Sequence, residues 1–165
     1  MGDFGGVALD FLGTYTHDYQ VFSGIPGAPV LQCVGKFGVT CQGTSTPQSG
    51  PLPSFRSKVR LTWTTPLEGF EVSVNWRYIG PSNVDTGNTT NADSRIQAYN
   101  YFDLAGQFRF KDRYTLRAGV NNIFDRDPPI IGSGELPVGV GSGNTFPQIY
   151  DPLGRFLFVG LTADF

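Results

Sequence analysis

Charge is scarce in this chain. Asp, Glu, Lys and Arg make up 16% of its 165 residues and sum to a net −2, against roughly 25% in an ordinary soluble domain. So even a balance excludes a nucleic-acid surface built on a basic patch. Histidine occurs once, at His17, with no sequence context for a Ser/His/Asp hydrolase, so no catalytic machinery is expected and a surface position is the simpler reading. Methionine occurs once, as Met1. Cysteine occurs twice, at Cys33 and Cys41. An isolated C-x7-C pair lacks the other ligands of a zinc site. It reads as a disulfide formed in an oxidising compartment, or as two unpaired thiols. No apolar run approaches the roughly 20 residues of a membrane helix. That absence says nothing against membrane strands, whose alternating signal is weak per segment. The opening "MGDFGGVALDF" lacks the basic start and apolar stretch of a secretory leader. It reads as the start of a strand. The chain is therefore expected either to stay in the cytoplasm or to be the tail of something longer.

What is abundant is aromatic residues, at 14%, with 22 Gly and 12 Pro. That composition suits strands joined by turns and polar loops. Six segments alternate with period two, the strand period: "VALDFLGTY" (7–15), "SKVRLTWT" (57–64), "FEVSVNWRY" (70–78), "YFDLAGQFRF" (101–110), "YTLRAGVNN" (114–122) and "RFLFVGLTADF" (155–165). One face of each is apolar and almost free of charge, as in Phe70, Val72, Val74, Trp76 and Tyr78. The other carries Arg60, Glu71, Arg77, Asp103, Arg109, Arg117 and Asp164. Aromatics gather near the strand ends of the apolar face: Tyr15, Trp63, Phe70, Trp76, Tyr78, Phe110, Tyr114 and Phe165. Such girdles mark the two interfaces of a membrane barrel. The connections alternate too. Residues 65–69 and 111–113 are tight turns, whereas 19–56, 80–98 and 125–153 are long, polar and poor in apolar pairs. A compact soluble domain seldom carries three structureless loops of that length.

The fold expected is all-β, an antiparallel up-and-down transmembrane β-barrel segment of about six strands. Six strands are too few to close, since membrane barrels begin at about eight, so the segment belongs to a larger barrel. The inward charges are expected to line a water-filled lumen and to pair across strands, Glu71 with Arg60, and Asp103 with Arg77 or Arg117. Other polar groupings carry less. Asp125, Asp127 and Glu135 could be drawn together as a metal cluster, but "DRDPP" reads as a strand end and a turn. The Gly-rich stretch from Val138 to Thr145 lacks the ending of a phosphate loop. "NTT" at 88–90 matches a glycosylation acceptor.

"LRAGVNNIFDRDPP" (116–129), followed by "YDPLGRFLFVGLTADF" (150–165), closely resembles the C-terminal end of TonB-dependent outer-membrane receptors. "CVGKFGVTC" and "FRSKVRLTWTTPLEGFEVSVNWRYIG" resemble a stretch just upstream in a proteobacterial branch of that family. The resemblance implies that residues 1–165 are the C-terminal portion of a roughly 22-stranded barrel, without its plug domain and earlier strands. It implies outer-membrane localisation in a Gram-negative bacterium and TonB-energised uptake of a scarce nutrient such as a ferric siderophore, cobalamin or glycan, with no enzyme activity and no cofactor. The implied partners are outer-membrane lipid, the remainder of the receptor, TonB through the plug, and the barrel assembly machinery, with no nucleic acid. Leu157, Val159, Leu161, Ala163 and Phe165 would form the C-terminal signal read by that machinery. The turns would then be periplasmic and the long loops, with Cys33 and Cys41, extracellular, where a disulfide persists. Two rivals stand beside this reading. One is a passive oligomeric outer-membrane pore. The other is a soluble β-sandwich binding module, whose aromatics would form a core.

Overall fold

The computed structural model describes residues 4–22, 24–42, 50–86, 93–132 and 144–164. In chain order the elements are β1 (Gly6–Tyr15), β2 (Gln20–Val21), β3 (Leu31–Gln32), β4 (Lys36–Phe37), a single helical turn α1 (Val39–Gln42), β5 (Phe55–Thr64), β6 (Phe70–Ile79), β7 (Ser82–Val84), β8 (Arg95–Ile96), β9 (Tyr99–Phe110), β10 (Tyr114–Asn121) and β11 (Phe156–Ala163). The six long strands form one sheet in the order β1-β5-β6-β9-β10-β11. Every neighbouring pair is antiparallel. Each alternating segment of the sequence is one of these strands.

Register follows from the alternation, because a slip of one residue would turn every apolar side chain to the wrong face. One ladder row shows the result. Leu9 lies opposite Leu61, Leu61 opposite Val74, Val74 opposite Leu104, Leu104 opposite Val120, and Val120 opposite Leu157. Six branched apolar side chains thus cross the whole sheet in one line. No charged residue occupies that face on any of the six strands. The face is also uncovered: Leu9 is 68% exposed and Leu157 76%. A sandwich core, the soluble alternative, would bury these residues, and among the described residues nothing packs over them.

Turn chemistry fixes the two tight connections. Three residues, 111–113, separate the paired Phe110 and Tyr114, and Lys111 and Asp112 both have positive φ, 52° and 53°, the primed-turn conformation that matches strand twist. Between β5 and β6, Gly69 has φ of 76°. A Cβ there would sit 2.2 Å from the carbonyl oxygen of Arg109, so only glycine fits.

The long connections depart from expectation. They are not structureless. β2 pairs with β3, and β4, β7 and β8 form a small sheet of their own. Loop residues Phe37, Val84, Ile96, Ile131, Phe146 and Tyr150 bury themselves together with Ile79 and Tyr101 of the wall. This core lies on the polar-face side, at the loop ends of β6 and β9. The scattered apolar pairs of the loops, "KF", "PPII" and "FPQIY", are sparse in each loop and meet only because three loops converge.

The face assignment yields a test. In the full-length protein that carries this chain, Val74→Arg or Leu161→Arg is expected to destabilise the lipid-inserted form by roughly 2–4 kcal/mol at mid-depth. Thr62→Arg, on the opposite face of β5, is expected to be close to neutral. Loss of the heat-modifiable folded band on gels reads the effect, and equal losses for both faces would contradict the assignment.

Candidate functional site

The polar face of the sheet is where chemistry is available. β5 presents Arg56, Lys58, Arg60 and Thr62 on it; β6 presents Glu71, Ser73, Asn75 and Arg77; β9 presents Asp103, Gln107 and Arg109; β10 presents Arg117. The register separates one expected pair. Glu71 lies opposite Thr64 and Gln107, while Arg60 lies opposite Asp10 and Asn75. Glu71 and Arg60 are therefore not partners, because the short β5–β6 turn sets the strands four residues out of that alignment. Arg117 does not reach Asp103 either. Its Nε donates to Gln107 Oε1 at 2.8 Å. Arg109 lies opposite Thr115, and Asp164, just past β11, donates its backbone N–H to the Arg113 carbonyl at 2.8 Å.

Arg77 organises the loop end of this face. Its Nε and Nη2 donate to Asp103 at 2.9 and 3.0 Å. Its Nη1 and Nη2 donate to Asp151 at 2.9 and 2.5 Å. Two carboxylates thus hold one guanidinium through paired bonds, the geometry in which Arg is strongest. Asp103 accepts two more bonds, from Asn75 Nδ2 at 2.8 Å and from the Asn122 backbone N–H at 3.0 Å. The guanidinium carbon stands 4.9 Å over the Tyr101 ring, and the Tyr101 hydroxyl accepts from the Asp151 backbone N–H at 3.3 Å. Asp103 belongs to β9, but Asp151 belongs to the loop before β11. The cluster therefore ties that loop to the wall. Of the two partners the sequence offered Asp103, Arg77 and Arg117, the structure has Arg77. Asp151 was not legible, since 48 residues separate it from Asp103 and only the tertiary fold joins them.

Above the ion cluster lies the loop core. Phe37 and Phe146 pack edge to face, 6.1 Å between ring centres, and Tyr99 meets Tyr150 at 4.9 Å. Burial pushes the Tyr150 phenol well above the ordinary tyrosine range. Cys33 and Cys41 are joined as a disulfide. The Cys41 backbone N–H donates to Asp85 Oδ2 at 2.6 Å. β4 in turn pairs in parallel with β7. The cross-link therefore anchors α1 to the segment between β3 and β4, and β4 is itself held by the next loop.

The aromatic residues of the apolar face fall into two groups. Towards the tight turns, Phe70 contacts Phe108, and Phe108, Phe110 and Tyr114 stack in series. Trp63 Nε1 donates to the Phe4 carbonyl at 3.0 Å. Towards the loops, Trp76 stacks on Phe102 and meets Tyr78, Phe55 contacts Tyr78, and Phe124 abuts Phe102. Trp76 Nε1 donates to Asn100 Oδ1 at 2.9 Å, and Tyr15 lies opposite Phe55. Phe55, Phe102, Phe108 and Phe124 join the groups unforeseen, although the strand parity of the first three places them there. Leu157, Val159 and Leu161 stand exposed on β11, with Ala163 at its end. Phe165, Glu135 and Asn88–Thr90 lie outside the described residues. Asp125 Oδ1 accepts from the Arg155 backbone N–H at 2.7 Å, the work of a turn former. Among the described residues no group of three His, Cys, Asp or Glu side chains could hold a metal ion.

Two outcomes follow for the loops. Asp151→Asn is expected to leave the six-strand wall folded and to speed proteolytic cleavage between residues 122 and 155, measured by mass spectrometry of the fragments. Unchanged cleavage would mean the ion cluster does not hold the loop. Cys33 and Cys41 of the exported protein are expected to resist alkylation until reduced. Breaking the pair by Cys33→Ser should lower stability by about 2–3 kcal/mol on the chain-entropy view of so short a loop, read from the denaturant midpoint.

The family model described as "TonB dependent receptor-like, beta-barrel" matches residues 2–123. Among solved structures, the chain is similar to the closed form of the ferric-catecholate import receptor Fiu from E. coli K12. The TM-score is 0.53 and the identity 16% over 94% of this chain, which spans 19% of that receptor's length. No curated protein sequence matches it. At 16% identity the structural likeness speaks for the fold. An all-β meander with a charge-free outer face and a charged inner one is what a barrel wall requires. With the family match running across most of its length, the chain belongs to the TonB-dependent receptor β-barrel family, whose members are outer-membrane transporters of Gram-negative bacteria rather than enzymes.

Proposed function

We propose that this chain is the C-terminal wall of an outer-membrane receptor that imports a scarce nutrient with energy passed through TonB. The observation that carries the reading is the unbroken apolar face across six antiparallel strands. Lipid leaves no water for unpaired backbone groups, so a spanning sheet must close on itself. Six strands do not close, and β1 and β11 each have one neighbour among the described residues. The remaining strands and the plug then belong to the rest of the receptor. The wall contributes three things to it. Its apolar face meets outer-membrane lipid, with the two aromatic groups at the two interfaces. Its charged face lines the lumen. Its loops, held by the disulfide and the Arg77 cluster, shape the extracellular mouth.

The nutrient class follows the family: a ferric siderophore, cobalamin or a glycan. The likeness to a ferric-catecholate receptor favours the first of these. Leu157, Val159, Leu161, Ala163 and Phe165 serve as the signal for the barrel assembly machinery, since β11 shows it an apolar, uncharged face.

Fractionation of cells expressing the full-length product tests the reading. The protein is expected in the outer-membrane fraction, resistant to heat-free denaturation by detergent, and retained by the immobilised periplasmic domain of TonB. Recovery as a soluble monomer, or no retention by TonB, would overturn it. Phe165→Ser is expected to reduce the assembled fraction several-fold while leaving synthesis unchanged.

A further inference from the structure

The disulfide closes residues 33–41 into a ring, and other segments grip that ring from two sides. On one side the Gly35 N–H donates to the Leu52 carbonyl at 2.6 Å, and the Leu52 N–H donates to the Lys36 carbonyl at 3.0 Å. On the other, the N–H groups of Asn83 and Asp85 donate to the carbonyls of Gly35 and Phe37 at 2.8 and 2.7 Å. Asp85 takes a second hold, since its carboxylate accepts the Cys41 N–H at 2.6 Å. The approach is close. A Cβ on Gly38 would stand 2.4 Å from the Asp85 carboxylate, so that position needs glycine. One residue of the neighbouring loop thus spans the ring from Phe37 to Cys41, and the disulfide limits how far those two points can part.

From the ring, Phe37 enters the loop core and meets Phe146 edge to face; both are fully buried. The Phe146 carbonyl accepts the N–H groups of Ile149 and Tyr150, each at 3.0 Å. That turn places Tyr150 in the same core. Asp151 follows it in the chain. Its carboxylate is held by Arg77, and its N–H donates to the Tyr101 hydroxyl. A continuous line of contacts therefore runs from the disulfide to the Arg77 cluster through Phe37, Phe146 and Tyr150. Every link in it is made by residues of this chain. Energetic coupling passes through packed chains of this kind. A close-packed core that loses one large side chain is left with a void that it fills only in part, so a change at Phe37 is felt at Tyr150.

We propose that Cys33–Cys41 is a redox-sensitive latch on the loop shelf: reduction by a small thiol frees the ring, loosens Phe37 from the core and releases the loop that Arg77 holds at Asp151. The proposal rests on the extracellular placement of these loops, where a small thiol meets them. Cys33 is fully buried and Cys41 half-buried, so the incoming thiolate attacks Cys41 Sγ. The protein S–S bond breaks, and Cys33 leaves as a thiolate that takes a proton from water. A second small thiolate attacks the other sulfur of the mixed disulfide, and Cys41 leaves and is protonated in the same way. The protein disulfide has then gained two electrons and two protons, and two small thiols have been oxidised to one disulfide. Local opening of a cooperative unit, with the strands beneath it intact, is an ordinary mode of motion in a folded chain.

The test uses the purified full-length receptor in bilayers and follows amide hydrogen exchange by mass spectrometry, before and after treatment with reduced glutathione. Alkylation scores how much of the pair has been reduced. Reduction is expected to speed exchange at Ile149, Tyr150 and Asp151 by roughly tenfold to a hundredfold, together with Asn83 and Asp85. The amides of β10 from Leu116 to Val120 should not change. Phe37→Ala, with the disulfide intact, is expected to speed the same amides at 149–151, which an effect confined to the ring would not do. Cys33→Ser/Cys41→Ser should reproduce the reduced pattern without a reductant; if that variant does not assemble, the wild type reduced in the bilayer is read alone. A bond that glutathione leaves intact, faster exchange confined to residues 33–42, no effect of Phe37→Ala at 149–151, or an equal acceleration in β10 would overturn the proposal. Membrane insertion and TonB retention are scored on the same preparation. A receptor that inserts and binds TonB yet transmits nothing from the ring to Asp151 removes the latch and leaves the uptake reading. One that transmits the change but neither inserts nor binds TonB does the reverse.

Discussion

Backbone hydrogen bonding in a solvent that offers none is the constraint on which this structure depends. A strand in lipid must pair on both sides, so the side chains can vary only as the pairing register allows. The register here puts every charge of the six strands on one face and leaves the other free of charge. The lateral order of the strands, the short turns at one end and the concentration of chemistry on the inner face all follow from that alignment. In the proposed wall the bilayer completes the apolar face, which then needs no close packing against protein.

The second level of organisation belongs to the loops. Long connections are normally the mobile part of a fold. In this chain three of them converge on the polar face and bury Phe37, Phe146 and Tyr150 against Tyr101 and Ile79. The disulfide fixes one loop, and the Arg77 cluster clamps another to the wall. The loop end of the wall is thus a shelf with its own small core. Arg77 has a double part in it. It pairs with Asp103 of β9 within the wall, and it holds Asp151 of the loop before β11 against that wall.

Much of the wall was legible in the sequence. Period-two alternation located all six strands to within about two residues at each end, because lipid and water impose the pattern on every residue of a spanning strand. The disulfide, and for Asp103 a partner in Arg77 or Arg117, could be anticipated from proximity, one along the chain and one between segments close in sequence. The failures have a common cause. Glu71 with Arg60 required a register, and register is set by how a turn closes rather than by pattern. The loop core required three distant segments, each too poor in apolar residues to announce itself. Asp151 sits in "YDPLGR", where it reads as a turn former, and its partner becomes visible only when the loop folds back over β6 and β9.

Site-directed spin labelling along β6 tests the central claim most directly. Single cysteines placed from Val72 to Arg77 in the full-length receptor, reconstituted in bilayers, carry the label, and the native cysteines do not compete because they are bonded to each other. Collision rates with oxygen and with a water-soluble nickel complex are then compared at each position. The account predicts a period of two: labels at Val72, Val74 and Trp76 collide with oxygen, and those at Ser73, Asn75 and Arg77 with nickel. Equal access to the nickel complex on both faces, or exclusion of both reagents from the apolar one, would contradict it.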